Sequence, residues 1–166
     1  MPGIHRLERT QLIERTLPEV FAFFADASNL ELITPHFLRF RTVTRAPIAM
    51  RVGTRIDYEI SLLGVPMHWR SHISTWEPNV RFVDEQERGP YALWHHTHDF
   101  EAKGDATLVR DTVLYSEPFG PLGSIAHVLF VERTLNRIFD FRREATARAL
   151  KGPSASPSPF ATAVSA

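Results

Sequence analysis

The sequence predicts an α+β domain: an antiparallel sheet of seven strands covered by one long C-terminal helix, with two short helices after the first strand. Three observations carry this. From Phe37 to Ser116 the chain runs in short apolar/polar alternations separated by two- to four-residue turns, which makes hairpins rather than crossover units. Before that block stand one strand-like run and two short helical segments. After it, Ser124 to about Leu150 carries apolar residues at helical spacing. A helix of about 27 residues rises about 40 Å, enough to cross a sheet whose apolar face needs a cover.

In order, Ile4 to Thr16 alternates, with Leu7, Arg9, Gln11 and Ile13 on one side and Glu8, Thr10 and Leu12 on the other. Leu17-Pro18-Glu19 opens a helix, since proline suits a first helical position, and Val20, Phe21 and Phe24 follow at helical spacing. Ser28 to Glu31 reads as a second short helix with Ser28 as its N-cap, ending before Pro35. Phe37 to Thr44 is a short strand and residues 46–53 form a loop. Thr54 to Leu63 alternates cleanly, with Ile56, Tyr58, Ile60 and Leu62 against Arg55, Asp57, Glu59 and Ser61. Gly64-Val65-Pro66 makes a turn. Strands Met67–Trp76, Val80–Arg88, Tyr91–Glu101 and Ala106–Ser116 follow, joined at Glu77-Pro78-Asn79, Gly89-Pro90 and Lys103-Gly104-Asp105. In the long helix, Ile125, Val128, Leu129, Leu135, Ile138, Phe139, Arg142, Ala145 and Ala149 fall mostly on one stripe. Residues 4–150 make one domain, and the Pro/Ser/Ala-rich residues 151–166 are predicted to be a disordered tail.

Composition narrows the function classes. The 166 residues carry zero formal net charge, which argues against a nucleic-acid or anionic-membrane binder working through bulk charge. There are no cysteines, so disulfides, thiolate metal sites and cysteine nucleophiles are excluded. No apolar stretch approaches the length of a membrane span, and the N-terminus lacks a signal-peptide run. The expectation is a cytoplasmic protein. A phosphate-binding glycine loop and a Gly-x-Ser-x-Gly elbow are both missing.

The most unusual stretch is Trp94-His95-His96-Thr97-His98-Asp99-Phe100. On a strand, alternate side chains share a face, so two imidazoles, His96 and His98, are bracketed by Trp94 and Phe100. His95 falls on the other face. Two histidines at this spacing can ligate one metal, with His68 or His72 as a third ligand. No third ligand can be assigned from spacing, however, and no metal is expected. The remaining readings are pocket polarity, with imidazoles that hydrogen-bond a ligand or transfer protons near neutral pH, and histidines satisfied by cross-strand partners. Asp84 and Asp111 stand in phase with apolar neighbours on the two strands flanking the histidine strand. Buried carboxylates need partners, and the flanking strands make Asp84–His and Asp111–His pairs geometrically possible, either as catalytic elements or as staples of the core. Tyr58, Trp69, Trp76, Phe82, Trp94, Phe100, Tyr115 and Phe139 form an aromatic set suited to an apolar pocket or to an ordinary core. Arg142, on the apolar stripe of the helix, either reaches into the cavity or snorkels at its edge.

Pro18-Glu19-Val20-Phe21, Leu32-Ile33-Thr34-Pro35, Trp76-Glu77-Pro78, Phe82-Val83-Asp84-Glu85-Gln86, Gly89-Pro90-Tyr91, Trp94 to Phe100 and Pro118-Phe119-Gly120 together resemble the START/SRPBCC (Bet v 1-like) superfamily, in its polyketide-cyclase and coenzyme Q-binding branch. The resemblance covers residues 4 to about 150. It implies the helix-grip fold, with a seven-stranded sheet curled round the long helix and an apolar ligand cavity between them. The expected function is binding of a small hydrophobic ligand, aromatic, polyketide-like or isoprenoid/quinone-like. Its expected contacts are Tyr58, Trp69, Phe82, Asp84, Trp94, His96, His98, Phe100, Asp111, Tyr115, Phe139 and Arg142. Two alternatives stand beside it. One is a cofactor-free cyclase or dehydratase using His96 or His98 as acid/base, with Tyr58 or Tyr115 as a hydrogen-bond donor. The other is a regulatory module docking through Leu122 to Phe130. No cofactor or nucleic-acid partner is expected, and the chain is read as monomer or homodimer.

Overall fold

The computed structural model describes residues 3–118 and 130–151. Strand β1 (His5–Ile13) leads into helix α1 (Leu17–Ala25). The first turn of α1 is held where the Glu19 carboxylate accepts from the Thr16 backbone N–H at 3.1 Å and from its hydroxyl at 2.7 Å. Two single 3₁₀ turns, Ala27–Leu30 and His36–Leu38, replace the second helix. The expected N-cap is displaced by two residues: Asp26, not Ser28, caps the first turn, accepting from the Ser28 N–H at 2.9 Å. Glu31 instead reaches across to the Thr42 N–H at 2.8 Å.

Strand β2 is only Arg41–Thr42. The expected strand from Phe37 is cut short because Phe37 sits in the second 3₁₀ turn and Arg39 takes a left-handed φ of 44°. Then follow β3 (Arg55–Leu62), β4 (Val65–Glu77), β5 (Arg81–Arg88), β6 (Leu93–Lys103) and β7 (Ala106–Ser116). The β3–β4 turn is tighter than the sequence suggests. Leu63 and Gly64, both at positive φ (51° and 81°), make a two-residue hairpin turn of the kind that matches strand twist. Pro66 therefore pairs within the sheet, opposite Ser61. The β6–β7 turn needs positive φ at Gly104 (62°), the position where a two-residue turn requires glycine.

The seven strands lie in the order β1-β7-β6-β5-β4-β3-β2, and every neighbouring pair is antiparallel. Two register shifts between β4 and β5, at Arg70/Ser71 and Ile73/Thr75, bend these strands, since an extra residue on one side forces local curvature. The outer face carries charged cross-strand pairs, including Asp57–Arg70 at 2.8 Å and Arg81–Asp99 at 2.6 Å. The inner face carries three apolar clusters. One gathers Ile13, Val20, Phe21, Phe82, Phe100 and Val109 under α1. A second joins Leu7, Val113 and Tyr115 to Leu135 and Phe139 of the C-terminal helix. The third is Ala27, Ile56 and Tyr58.

That helix, α2, is described over Glu132–Leu150, about 28 Å at 1.5 Å per residue. Its expected beginning at Ser124, the proposed docking segment up to Leu129 and the tail from 152 lie outside the described residues. Phe130, the end of that segment, is 56% exposed. Leu135, Phe139 and Ala145 are buried as the stripe requires, but Ala149 is exposed and Thr146 is buried in its place. The helix is tied to β1 by polar contacts as well. Arg9 donates to Asn136, the Gln11 amide donates to the Arg143 carbonyl at 2.9 Å, and Arg15, just after β1, donates to the Leu150 carbonyl at 2.7 Å.

Leu135 (2% exposed) pins α2 against β1 and β7. Leu135→Ala is expected to cost about 2–5 kcal/mol of unfolding free energy. Leu12→Ala, at a position 59% exposed, should stay within about 0.5 kcal/mol; urea titration of the two variants checks the contrast.

Candidate functional site

The alternation of β6 places His96 and His98 inward, at 3% and 5% exposure. Its neighbours deliver the acids. Asp84 on β5 is in register with His96, and Asp111 on β7 is in register with His98. The two imidazoles lie one against the other, with ring centroids 3.8 Å apart, and each has one nitrogen on the Asp84 side and one on the Asp111 side. On the Asp111 side, His96 Nε2 is 3.0 Å from Oδ1 in hydrogen-bonding geometry. His98 Nδ1 is 2.9 Å from the same oxygen but out of line for a hydrogen bond, so that contact is electrostatic. On the Asp84 side, His98 Nε2 is 3.1 Å from Oδ2 and His96 Nδ1 is 3.5 Å from it. Aromatic walls close the group: Phe82 stacks on His98 at 4.1 Å, and Phe139 and Trp94 meet His96 edge-on.

The charges divide unevenly. Burial pushes His96 below the ordinary histidine value, and the neighbouring His98 charge adds to this against the pull of both carboxylates. Burial also opposes a charge on His98, but Asp111 and Asp84 together outweigh it and hold its pKa above the ordinary value. Burial works against the Asp84 and Asp111 anions too, and the two imidazoles more than compensate, so both carboxyls sit below their usual range. The arrangement thus favours the carboxylate form of both acids and positive charge on His98 over His96.

A cavity of about 170 Å³, partly open to solvent, lies between the sheet, α1, the 3₁₀ turns and α2. Of the residues expected to touch a ligand, Tyr58, Trp69, Phe82, Asp84, Trp94, His96, His98, Phe139 and Arg142 line it. Three do not. Phe100 is packed into the cluster beneath α1, and Tyr115 into the cluster against Leu135. Asp111 lies behind the imidazoles, away from the cavity wall. The lining adds residues not expected to touch a ligand: Ile56 and Ile73 from the sheet, Leu30 and Ile33 from the 3₁₀ region, and Tyr91 from the β5–β6 turn. Tyr91 is fixed by Gln86, whose side-chain amide donates to its carbonyl at 2.7 Å and accepts from its N–H at 3.2 Å. Burial raises the Tyr58 and Tyr91 phenols far above their ordinary value, and Tyr115 is pushed up to about 12 by burial and the Glu117 charge. All three stay protonated and able to donate.

Arg142 brings a cation from α2. Its Nε is buried without a hydrogen-bond partner, its guanidinium carbon lies 5.2 Å from the Phe139 ring centroid, and its charge acts on both Asp84 and Tyr58. Among the described residues, Asp84, His96 and His98 are also the set of side chains able to hold a metal ion, with one donor atom from each within 4.8 Å of the others. The sequence offered His68 or His72 as a third ligand. Both lie on the outer face, His68 3.2 Å from Asp57 and His72 opposite Glu85. Asp84 takes that place because β5, not β4, is the neighbour of the histidine strand.

The chain belongs to the family described as polyketide cyclase / dehydrase and lipid transport, whose model matches residues 13–156. Solved structures agree on the fold. The ZhuI aromatase/cyclase from Streptomyces sp. R1128 superposes with a TM-score of 0.72 at 12% identity, over 90% of this chain and 94% of that one. A START superfamily protein from Mycobacterium smegmatis gives 0.66 at 10% identity, over 89% and 97%. The ginseng (Panax ginseng) major latex-like protein 151 gives 0.62 at 12%, over 90% and 99%. At these identities the likeness is one of fold, helix-grip and START/Bet v 1-like. No curated protein matches the chain.

Removing one member of a buried ion pair leaves the other charge uncompensated. Asp111→Asn is expected to cost about 3–5 kcal/mol. Asp99→Asn, which breaks the outer-face pair with Arg81, should cost only about 0–1 kcal/mol. Chemical denaturation of both variants measures the difference.

Proposed function

We propose that the protein binds a small hydrophobic ligand in the cavity between the sheet and α2, with an oxygen of that ligand meeting the polar seam of His98, Asp84, Tyr58 and Arg142. The observation that carries this is an apolar cavity with a few convergent polar groups on one side, the usual constitution of a ligand site. The family, which spans cyclase/dehydrase chemistry and lipid transport, supports the same ligand class. An apolar cavity of about 150 Å³ accepts benzene, so the volume of about 170 Å³ suits one aromatic or quinone-sized ring. A polyketide or isoprenoid chain on that ring would leave through the open side. No described helix is long and apolar enough to cross a membrane, and a cytoplasmic monomer or homodimer is part of the same proposal.

The deciding experiment is native mass spectrometry of the protein purified from its own host. A co-purifying aromatic or quinone-like mass is the expected result. A ligand-free protein that also fails to bind naphthol or quinone probes would overturn the reading. Ser71, buried and on the cavity wall, offers a blocking variant. Ser71→Phe is expected to weaken probe binding at least about tenfold, the equivalent of 1.4 kcal/mol, read as loss of Trp69 and Trp94 fluorescence quenching.

A second reading is a cyclase or dehydratase without a cofactor. It rests on His98, which lines the cavity as one half of a hydrogen-bonded pair with Asp84, the arrangement of a group that gives up and regains a proton. His98→Gln separates the two readings. Retained ligand affinity with turnover reduced about 10²–10⁴-fold supports an enzyme. Binding without turnover in the unaltered protein supports a carrier.

A further inference from the structure

The seam has an asymmetry that neither ligand carriage nor proton transfer requires. Each imidazole faces Asp111 with one nitrogen and Asp84 with the other, but only the Asp84 side belongs to the cavity wall. On that side, two nitrogens, His96 Nδ1 and His98 Nε2, converge on a single oxygen, Asp84 Oδ2, at 3.5 and 3.1 Å. The first distance is too long for a hydrogen bond of ordinary strength. On the hidden side, Asp111 accepts a hydrogen bond from His96 Nε2 and lies against His98 Nδ1.

We propose that Asp84 Oδ2, His96 Nδ1 and His98 Nε2 form a binding site for one divalent transition-metal ion, zinc or ferrous iron in class, with its open coordination position facing the cavity. Three points of geometry carry this. Ligand atoms about 2.1 Å from a tetrahedral metal stand about 3.4 Å apart, and the two spacings to Asp84 Oδ2 bracket that figure. The donor set is two imidazoles and one carboxylate, the composition of three-ligand sites that leave positions free. For His96, Asp111 supplies the outer partner that metal-bound histidines regularly have, a carboxylate hydrogen-bonded to the nitrogen remote from the metal, which fixes ring orientation. Asp111 is then a positioning residue and not a ligand. An oxygen on a molecule in the cavity would approach the open position directly.

The inference does not depend on the ligand reading, because it is tested on ligand-free protein. Tag-free protein, stripped with a chelator, is titrated with Co(II) and followed by visible absorption. One equivalent should bind and give the intense bands of four- or five-coordinate cobalt. Asp84→Asn should weaken binding more than about 100-fold, and Asp111→Asn about 10–100-fold. His68→Gln, on the outer face, should change nothing. Folding of each variant is checked by circular dichroism, and a measurement on the unaltered protein stands beside them: Zn(II) should shift the ¹⁵N resonances of His96 Nδ1 and His98 Nε2 and leave those of His68 and His72 in place. The proposal is overturned by the absence of stoichiometric binding, by equal affinity in a folded Asp84→Asn variant, or by zinc shifts confined to other histidines.

Discussion

Two carboxylates stand on the inner face of a sheet whose other inward residues are mostly apolar, and two imidazoles between them make that burial tolerable. An isolated carboxylate in such surroundings would be protonated or would drag water in. Here Asp84, His98, Asp111 and His96 share one network across three adjacent strands, so charge and counter-charge are placed by register alone. That network sets the local architecture. It holds β5, β6 and β7 in one alignment, since a slip of one residue would turn an acid or an imidazole to the outer face. It also separates the cluster under α1, which ends at Phe82, from the cluster against α2, which begins at Phe139. The cavity lies beside this boundary, where neither cluster fills the space.

The space that the sheet and α2 enclose is furnished unevenly. One end is lined by aliphatic and aromatic side chains from β3, β4 and the 3₁₀ turns. The other gathers two imidazoles, the Asp84 carboxylate, a protonated phenol and an arginine. A ligand placed there is oriented by polarity rather than by shape, because the apolar end discriminates weakly between rings of similar size, whereas an unpaired buried polar group penalises a wrong orientation strongly.

Much of this was legible in the residues. The period-two alternation grouped Trp94, His96, His98 and Phe100 on one face without saying which way that face points, a question the burial of both imidazoles answers, and the meander placed acidic strands on both sides, so the Asp–His pairings were open from strand order. The limits were of two kinds. Local turn chemistry moved boundaries: Leu63 adopts a positive φ that its side chain does not advertise, and the Phe37 region winds into a 3₁₀ turn because Arg39 turns left-handed. Depth was the other limit. Alternation says which face a residue is on but not how far it stands from the cavity, so Phe100, Asp111 and Tyr115 were grouped with the lining although packing places them behind it. Asp84 was read as a histidine partner but not weighed as a candidate metal donor. A search for histidine spacing found His68 and His72, while the side chain that meets the imidazoles is the carboxylate one strand over.

The neighbour of β1 is β7, with His5 opposite Tyr115 and Ile13 opposite Thr107. Ties from Arg9, Gln11 and Arg15 run further still, to residues of α2. The β1 edge of the sheet therefore cannot be completed by any local event. While the hairpins from β3 to β7 can form as each strand emerges from the ribosome, β1 must wait for more than half of the chain, exposed along its edge, before its partner exists. Folds dominated by such distant pairings assemble slowly, and an unpaired edge is where association with other chains begins. Arg6 and Glu8, alternating with the inward Leu7, keep that waiting strand charged on one side.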